Sequence, residues 1–201
     1  MADVQTELTV EKPRAAARRR QVLDAAALCF RRHGFHACSM AQISTEAGMS
    51  VGHIYRYFPG KEAIIAAIVK ADVDEVAEKV SEFQLDDPDL RRVLTERAVE
   101  GVMKTSNPDQ TALMIEIRAE AARNPAIRRI VQDADARISD HLRTIISAAV
   151  QHKLSRADLN ARVEMFHLIF QGIGLRTLTN PSLDRSALSQ LVKLSISAIL
   201  Q

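Results

Sequence analysis

Tryptophan is absent from the 201 residues, and tyrosine occurs only twice. Both tyrosines fall in one short stretch, MSVGHIYRYFPGKEA at residues 49–63, beside a histidine, an arginine and a lysine. Glycine and proline are sparse, at seven and six, and no repeat or low-complexity tract appears. With 47% hydrophobic and 26% charged residues, the composition is that of a folded, helix-rich chain and not a disordered one. No apolar run approaches the length of a membrane-spanning helix. The opening MADVQTELTVEKPR is acidic and polar and lacks the apolar centre of a secretory leader. A cytoplasmic protein without a membrane partner is expected. The two cysteines, Cys29 and Cys38, are too few for a disulfide framework. They are expected to be small apolar fillers in a reduced compartment.

What charge there is, is unevenly placed. The net charge is only +2. Residues 1–61 nevertheless carry nine Lys/Arg against five Asp/Glu, and the remainder carries eighteen against twenty. A basic first third on a near-neutral body points to a local anionic partner.

Helical periodicity begins at Arg14, after a stretch that reads as a flexible arm over residues 1–13. Val22, Ala26, Cys29, Phe30 and His33 recur at three- and four-residue steps, the spacing of one helix face. Gly34 ends that helix. Ser39 and Gln42 have the spacing of a capping box, so a second helix starts at Ser39 and stops at Gly48. Ser50 caps a third, from Val51 to about Tyr57. Pro59-Gly60 breaks it, and a long helix runs from Lys61 to about Val80. Asp87-Pro88, Asn107-Pro108 and Asn124-Pro125 each place an N-capping side chain before a proline, a helix start. Ser155 and Asp184 lie at two further breaks. Helices are predicted over 88–105, 108–123, 125–152, 157–178 and 184–200. No stretch alternates with period two for long enough to form a strand. The fold class is all-α, with about nine helices.

Two short helices joined by Ala47-Gly48-Met49-Ser50 have the size and turn of a helix-turn-helix. Such a unit lays its second helix in the major groove of DNA. Gly52 is a poor helix residue, but its missing side chain lets backbone approach DNA closely. Tyr55 and Tyr57 offer hydroxyls to phosphate oxygens on stiff rings. Lys61 opens the next helix, where the dipole also favours an anion.

The segment SMAQISTEAGMSVGHIYRYFPGKEAII resembles the DNA-binding segment of the TetR family of bacterial transcriptional repressors. The family pattern is met by Phe30, Gly34-Phe35, Ser39-Met40, Ile43-Ser44, Ala47-Gly48-Met49-Ser50, Gly52, Ile54-Tyr55, Tyr57-Phe58 and Lys61-Glu62. The departures are Ser39, where threonine is commoner, and Gly60, where serine or asparagine is common. The resemblance implies a three-helix DNA-binding domain over residues 14–60. It also implies a larger helical ligand-binding and dimerisation domain over 61–201, with 61–80 as the connecting helix. Ser39, Tyr55, Tyr57 and Lys61 resemble its phosphate contacts, with Met40 and Ser50 beside them. Val51, Gly52 and His53 stand where the family reads bases, with Ala41 nearby. Arg56 reaches phosphate or base, and Arg14, Arg18, Arg19 and Arg20 are further candidates for phosphate or minor-groove contact. The implied partners are a double-stranded DNA operator, a second copy of the chain and a small-molecule effector.

A single helix-turn-helix reads few bases, so pairing of two copies is physically expected. Candidate seam residues are Phe166, Ile169, Gly172 and Ile173 on one helix and Leu188, Leu191, Val192, Ser195 and Ile199 on the last. Met103, Met114, Phe166 and Phe170 are candidates to line an apolar effector cavity. Arg118, Glu120, His141 and His167 are candidate polar contacts within it.

Two other classes compete. An enzyme lacks support, because no nucleophile elbow, P-loop, zincin or dinucleotide motif occurs. His33 and His36 approach Cys38 in sequence, but nothing nearby completes a four-ligand set. No metal or other cofactor is expected. A helical ligand-binding or interaction module that no longer reads DNA is the second alternative.

Overall fold

The computed structural model describes residues 13–105, 107–150 and 152–201, apart from the side chains of 103–105. Among these residues the architecture is all helical, in nine elements. They are α1 (Pro13–Ala37), α2 (Met40–Ala47), α3 (Val51–Tyr55), α4 (Lys61–Ser81), α5 (Leu90–Thr105), α6 (Pro108–Arg123), α7 (Pro125–Ala149), α8 (Arg156–Thr179) and α9 (Arg185–Ile199). The expected arm lies outside the described residues except for Pro13, which opens α1.

The chain divides between Ile64 and Ile65, inside α4, into two compact units. In the first, α1 packs on α2 and α2 on α3. Val22, Ala26, Phe30, Ile43, Ile54 and Phe58 are fully or almost fully buried. Gly34 breaks α1 as expected. Its φ of 77° and ψ of 164° are not helical, a conformation open to glycine and costly for other residues. The helix resumes for one short turn beyond it.

The second unit is a helical bundle. α5 packs chiefly against α9, α6 against α7, and α8 against α5, α6, α7 and α9. Its core includes Leu90, Leu94, Val102, Ile145, Ile146, Val163, Phe166, Ile173, Val192, Ile196 and Leu200. Asn107 and Asn124 cap α6 and α7, each with proline in the first turn. Ser155 and Asp184 cap α8 and α9. Asp87 differs. Its carboxylate accepts the N–H of Asp89 at 2.8 Å, closing a turn of its own, and α5 starts only at Leu90.

Candidate nucleic-acid interface

The turn between α2 and α3 is fixed from both ends. At the start of α2 the capping box is complete: the Gln42 N–H donates to Ser39 Oγ at 3.2 Å, and the Ser39 N–H donates to Gln42 Oε1 at 2.7 Å. Gly48 closes α2 in the left-handed conformation, φ 60°. The buried Ser44 hydroxyl donates to the Met49 carbonyl at 2.5 Å. Ser50 caps α3 by accepting the His53 N–H at 3.3 Å. α1 braces the assembly, with Gln21 Nε2 donating to the Ala47 carbonyl at 2.6 Å. Arg19 lies 4.7 Å from the centre of the Phe58 ring and donates to the Tyr57 carbonyl at 3.4 Å.

The third helix is shorter than the sequence predicts. It ends at Tyr55, because the N–H groups of Arg56 and Tyr57 turn back to the carbonyls of His53 and Ile54, three residues away. Pro59 follows closely and cannot continue a helix. Tyr57 therefore sits in the turn beyond α3. Its ring packs on His53 with centroids 5.4 Å apart, and its hydroxyl lies 3.4 Å from His53 Nε2.

The candidate DNA residues share an open surface on these elements. Ser39, Ala41, Ser50, Gly52, Tyr55 and Arg56 are exposed, and Met40, Val51, His53, Tyr57 and Lys61 are half-buried. The Ser39 and Ser50 hydroxyls accept capping bonds, and each keeps its proton free to donate outward. A Cβ at Gly52 would meet nothing within 4 Å, so the fold itself does not demand glycine there. Lys61 is more committed than its sequence position indicates. Its ammonium donates to the Phe35 carbonyl at 2.5 Å and lies 4.3 Å from the Phe35 ring centre, with further N–H donors remaining. Arg14, Arg18, Arg19 and Arg20 belong to α1. Arg18 donates to Gln21 and Arg20 pairs with Asp24.

Sequence reasoning missed one covalent feature. Cys29 and Cys38 are not separate fillers but are bonded, with Cα atoms 5.9 Å apart. Nine residues of unbroken helix rise about 13.5 Å, so the Gly34 break is what lets the two meet. Beside Cys29 lies a groove of about 320 Å³ between α1 and α2, bordered by Arg32, His33, Gln42 and Glu46. Among the described residues, no group of three or more His, Cys, Asp or Glu side chains is placed to hold a metal ion. No described helix is long and apolar enough to cross a membrane.

In the second unit the candidate effector residues have mixed surroundings. Phe166 is buried and lies 6.3 Å from the Phe170 ring. Phe170 closes tightly on Gly101, where a Cβ would come within 2.8 Å of the ring. His167 Nε2 lies 3.0 Å from the hydroxyl of the buried Ser139. Glu120 is buried and accepts from Arg123 at 2.9 Å. Met114 and His141 are half-buried and Arg118 is exposed. The Met103 side chain lies outside the described residues.

The candidate seam residues also divide. Phe166, Ile173 and Val192 are buried within the chain's own bundle, while Ile169, Leu188 and Ile199 pack against that core. Gly172, Leu191 and Ser195 face outward. Beside them the structure exposes Met165, Leu168, Leu175 and Leu178 on α8 and Leu194 on α9, which the sequence reading did not single out.

The family model for bacterial regulatory proteins of the tetR family matches residues 22–68. The model for the C-terminal part of BetI-type transcriptional repressors matches residues 86–201. The HTH-type transcriptional regulator UidR of Escherichia coli strain K12 is 28% identical over 144 residues, 71% of each chain. The HTH-type transcriptional repressor AcnR of Corynebacterium efficiens is 25% identical over 161 residues, 77% of each chain. Among solved structures, Salmonella enterica GusR has a TM-score of 0.75 at 24% identity, over 95% of this chain and 98% of that one. A putative transcriptional regulator from Pseudomonas aeruginosa PAO1 reaches 0.77 at 18% identity, over 98% and 96%. At these identities the two structures establish the fold alone.

Proposed function

The chain belongs to the TetR family of bacterial regulatory proteins, and on that premise we propose that it is a ligand-responsive, DNA-binding repressor. It binds a palindromic operator as a homodimer and leaves it when a small molecule occupies the C-terminal unit. The observation that carries this reading is the outer surface of α2, its turn and α3. Ser39, Ala41, Ser50, Gly52, Tyr55 and Arg56 lie open there on a backbone capped at both helix starts.

Ser39, Tyr55, Tyr57 and Lys61 hold phosphates, which position the protein without reading sequence. Val51 touches a thymine methyl, and His53 hydrogen-bonds a base edge. Gly52 lets the start of α3 lie close to the groove. The packing of Tyr57 on His53 holds that imidazole at a fixed angle. Ala41 and Arg56 flank the contact.

Two copies pair through α8 and α9. The exposed apolar side chains there are too many for a lone helix pair in water. The effector site draws on Met114, Phe166 and Phe170 for apolar contact, with Arg118, Glu120, His141 and His167 as polar candidates. Release requires that the effector bind the operator-incompetent state more tightly than the competent one. Effector and DNA then oppose one another through linkage alone.

Selection from a pool of random duplexes tests the reading. Enrichment of a palindrome with half-sites about one helical turn apart is expected. No enrichment at low salt, where phosphate contacts are strongest, from protein freed of small molecules would reject it in favour of a helical module that does not read DNA.

A further inference from the structure

A disulfide sits awkwardly in a protein that reads genomic DNA. Intracellular thiol pools keep most cysteines reduced, and the crosslinks that do form there are usually transient or redox-sensing. The two cysteines are also unlike in access. Cys38 is fully buried, whereas Cys29, 5% exposed, borders the surface groove. Arg32 edges that groove, where it pairs with Glu46 at 3.7 Å, and a neighbouring guanidinium favours a thiolate.

We propose that Cys29 and Cys38 are a reversible oxidation site, worked by a peroxide-class oxidant and a low-molecular-weight thiol, that sets how firmly the first unit holds DNA. The second half of this proposal rests on the DNA-binding reading above.

In the oxidising direction the Cys29 thiolate attacks a peroxide oxygen. An S–O bond forms, the O–O bond breaks, and the departing hydroxide takes a proton to become water. Cys38, as thiolate, then attacks the Cys29 sulfenic sulfur. The S–S bond forms, the S–O bond breaks, and a second water leaves. Two thiols have lost two electrons and two protons, and one peroxide has become two waters. In the reducing direction an external thiolate attacks Sγ of Cys29, the cysteine that lines the groove, and Cys38 leaves as thiolate. A second external thiol resolves the mixed disulfide and frees Cys29. Two external thiols have become one disulfide.

The consequence follows from where Cys38 stands. It immediately precedes Ser39, the N-cap of α2, and its N–H donates to the Gly34 carbonyl at 3.1 Å. The crosslink thus ties the entry of α2 to α1. With the bond in place, both capping arrangements of the DNA-reading segment are intact, so the oxidised form is the DNA-ready one. Reduction loosens the residue next to Ser39 and weakens binding.

The test uses the full chain, treated with hydrogen peroxide or with dithiothreitol, and reads two quantities. Alkylation followed by mass spectrometry counts free thiols, and titration against the selected duplex gives affinity. Peroxide should remove both thiols within one chain, dithiothreitol should restore them, and native-state alkylation should strike Cys29 first. The oxidised form should bind several-fold tighter, and Cys29→Ser and Cys38→Ser should each lose this response. Circular dichroism of the reduced wild type provides a folded reference if either variant misfolds. Thiols that never close into an intramolecular bond would overturn the oxidation site. Equal affinity of both forms would overturn its coupling to DNA. Reversible closure with no duplex bound by either form would support the oxidation site and reject the DNA-binding reading.

Discussion

At Gly52 the fold and the proposed DNA contact make opposite demands. Glycine inside a helix is less favourable than alanine by up to about 1 kcal/mol, and the space around its Cβ position is open. Gly52→Ala is therefore expected to leave thermal stability unchanged or slightly raised, yet to weaken operator binding at least tenfold. Equal affinity in a titration would show that the backbone does not approach DNA there. The neighbouring aromatics separate by role. Tyr55, half exposed, offers only a hydroxyl, so Tyr55→Phe should weaken binding to all duplexes alike. His53→Ala should instead change the ranking of duplexes in a selection, and uniform loss would remove its base-reading role. In the second unit, burial raises the Asp72 carboxyl above its ordinary value of 3.8, Glu75 adds to this, and Lys79 and Arg118 oppose it. The folded chain thus holds this proton to higher pH than the unfolded chain does. Stability from this group is present below 3.8 and falls as pH rises through the raised value. Asp72→Asn should raise the neutral-pH Tm by a few degrees and gain less over wild type at acid pH, where the wild-type carboxyl is protonated.

At the level of elements, most boundaries follow from local chemistry that the sequence carries openly. Of the three Asx side chains that precede a proline, Asn107 and Asn124 cap their helices as the pattern implies, whereas Asp87 closes a turn ahead of α5. The Ser39–Gln42 box is equally local, and Ser39→Ala should cost about 1 kcal/mol, read as a lower Tm, together with weakened DNA binding from a lost hydroxyl. The misses are elements whose outcome depends on something beyond the local pattern. α3 stops at Tyr55 because backbone bonds tighten there to three-residue spacing, a choice that side-chain periodicity does not encode. Composition and compartment point to two separate cysteines, whereas the Gly34 break, itself legible in the sequence, lets them join. Cysteine count argues about frameworks, whereas bonding is decided by whether a kink brings two Cα atoms within reach.

On the scale of the whole molecule, the hardest question is which apolar face of a helix meets its own chain. α8 is apolar on two sides. Phe166 and Ile173 turn into the bundle, while Met165, Leu168, Gly172 and Leu175 form an outward stripe at three- and four-residue steps. A helix apolar all round signals burial on both sides, but hydrophobicity alone does not say which side is filled from within. Side-chain size points to the face that carries Phe166, Ile169 and Ile173, and that face is largely the internal one. α9 repeats the division, with Val192 and Ile196 buried and Leu191 and Leu194 about two-thirds exposed. This difference makes the proposed pairing testable by a matched set of charges. Leu191→Glu places a carboxylate on the open stripe, and one position on, Val192→Glu places the same group in the core. The first variant should keep its helical circular dichroism and its Tm within a few degrees. It should sediment as a monomer and lose about 100-fold or more in operator affinity, the avidity that two joined reading units supply. The second should unfold, because an unpaired charge in an apolar core is not tolerated. A Leu191→Glu chain that stays dimeric would move the seam elsewhere on the bundle. A monomeric one that still binds the full palindrome with undiminished affinity would show that pairing does not set operator strength.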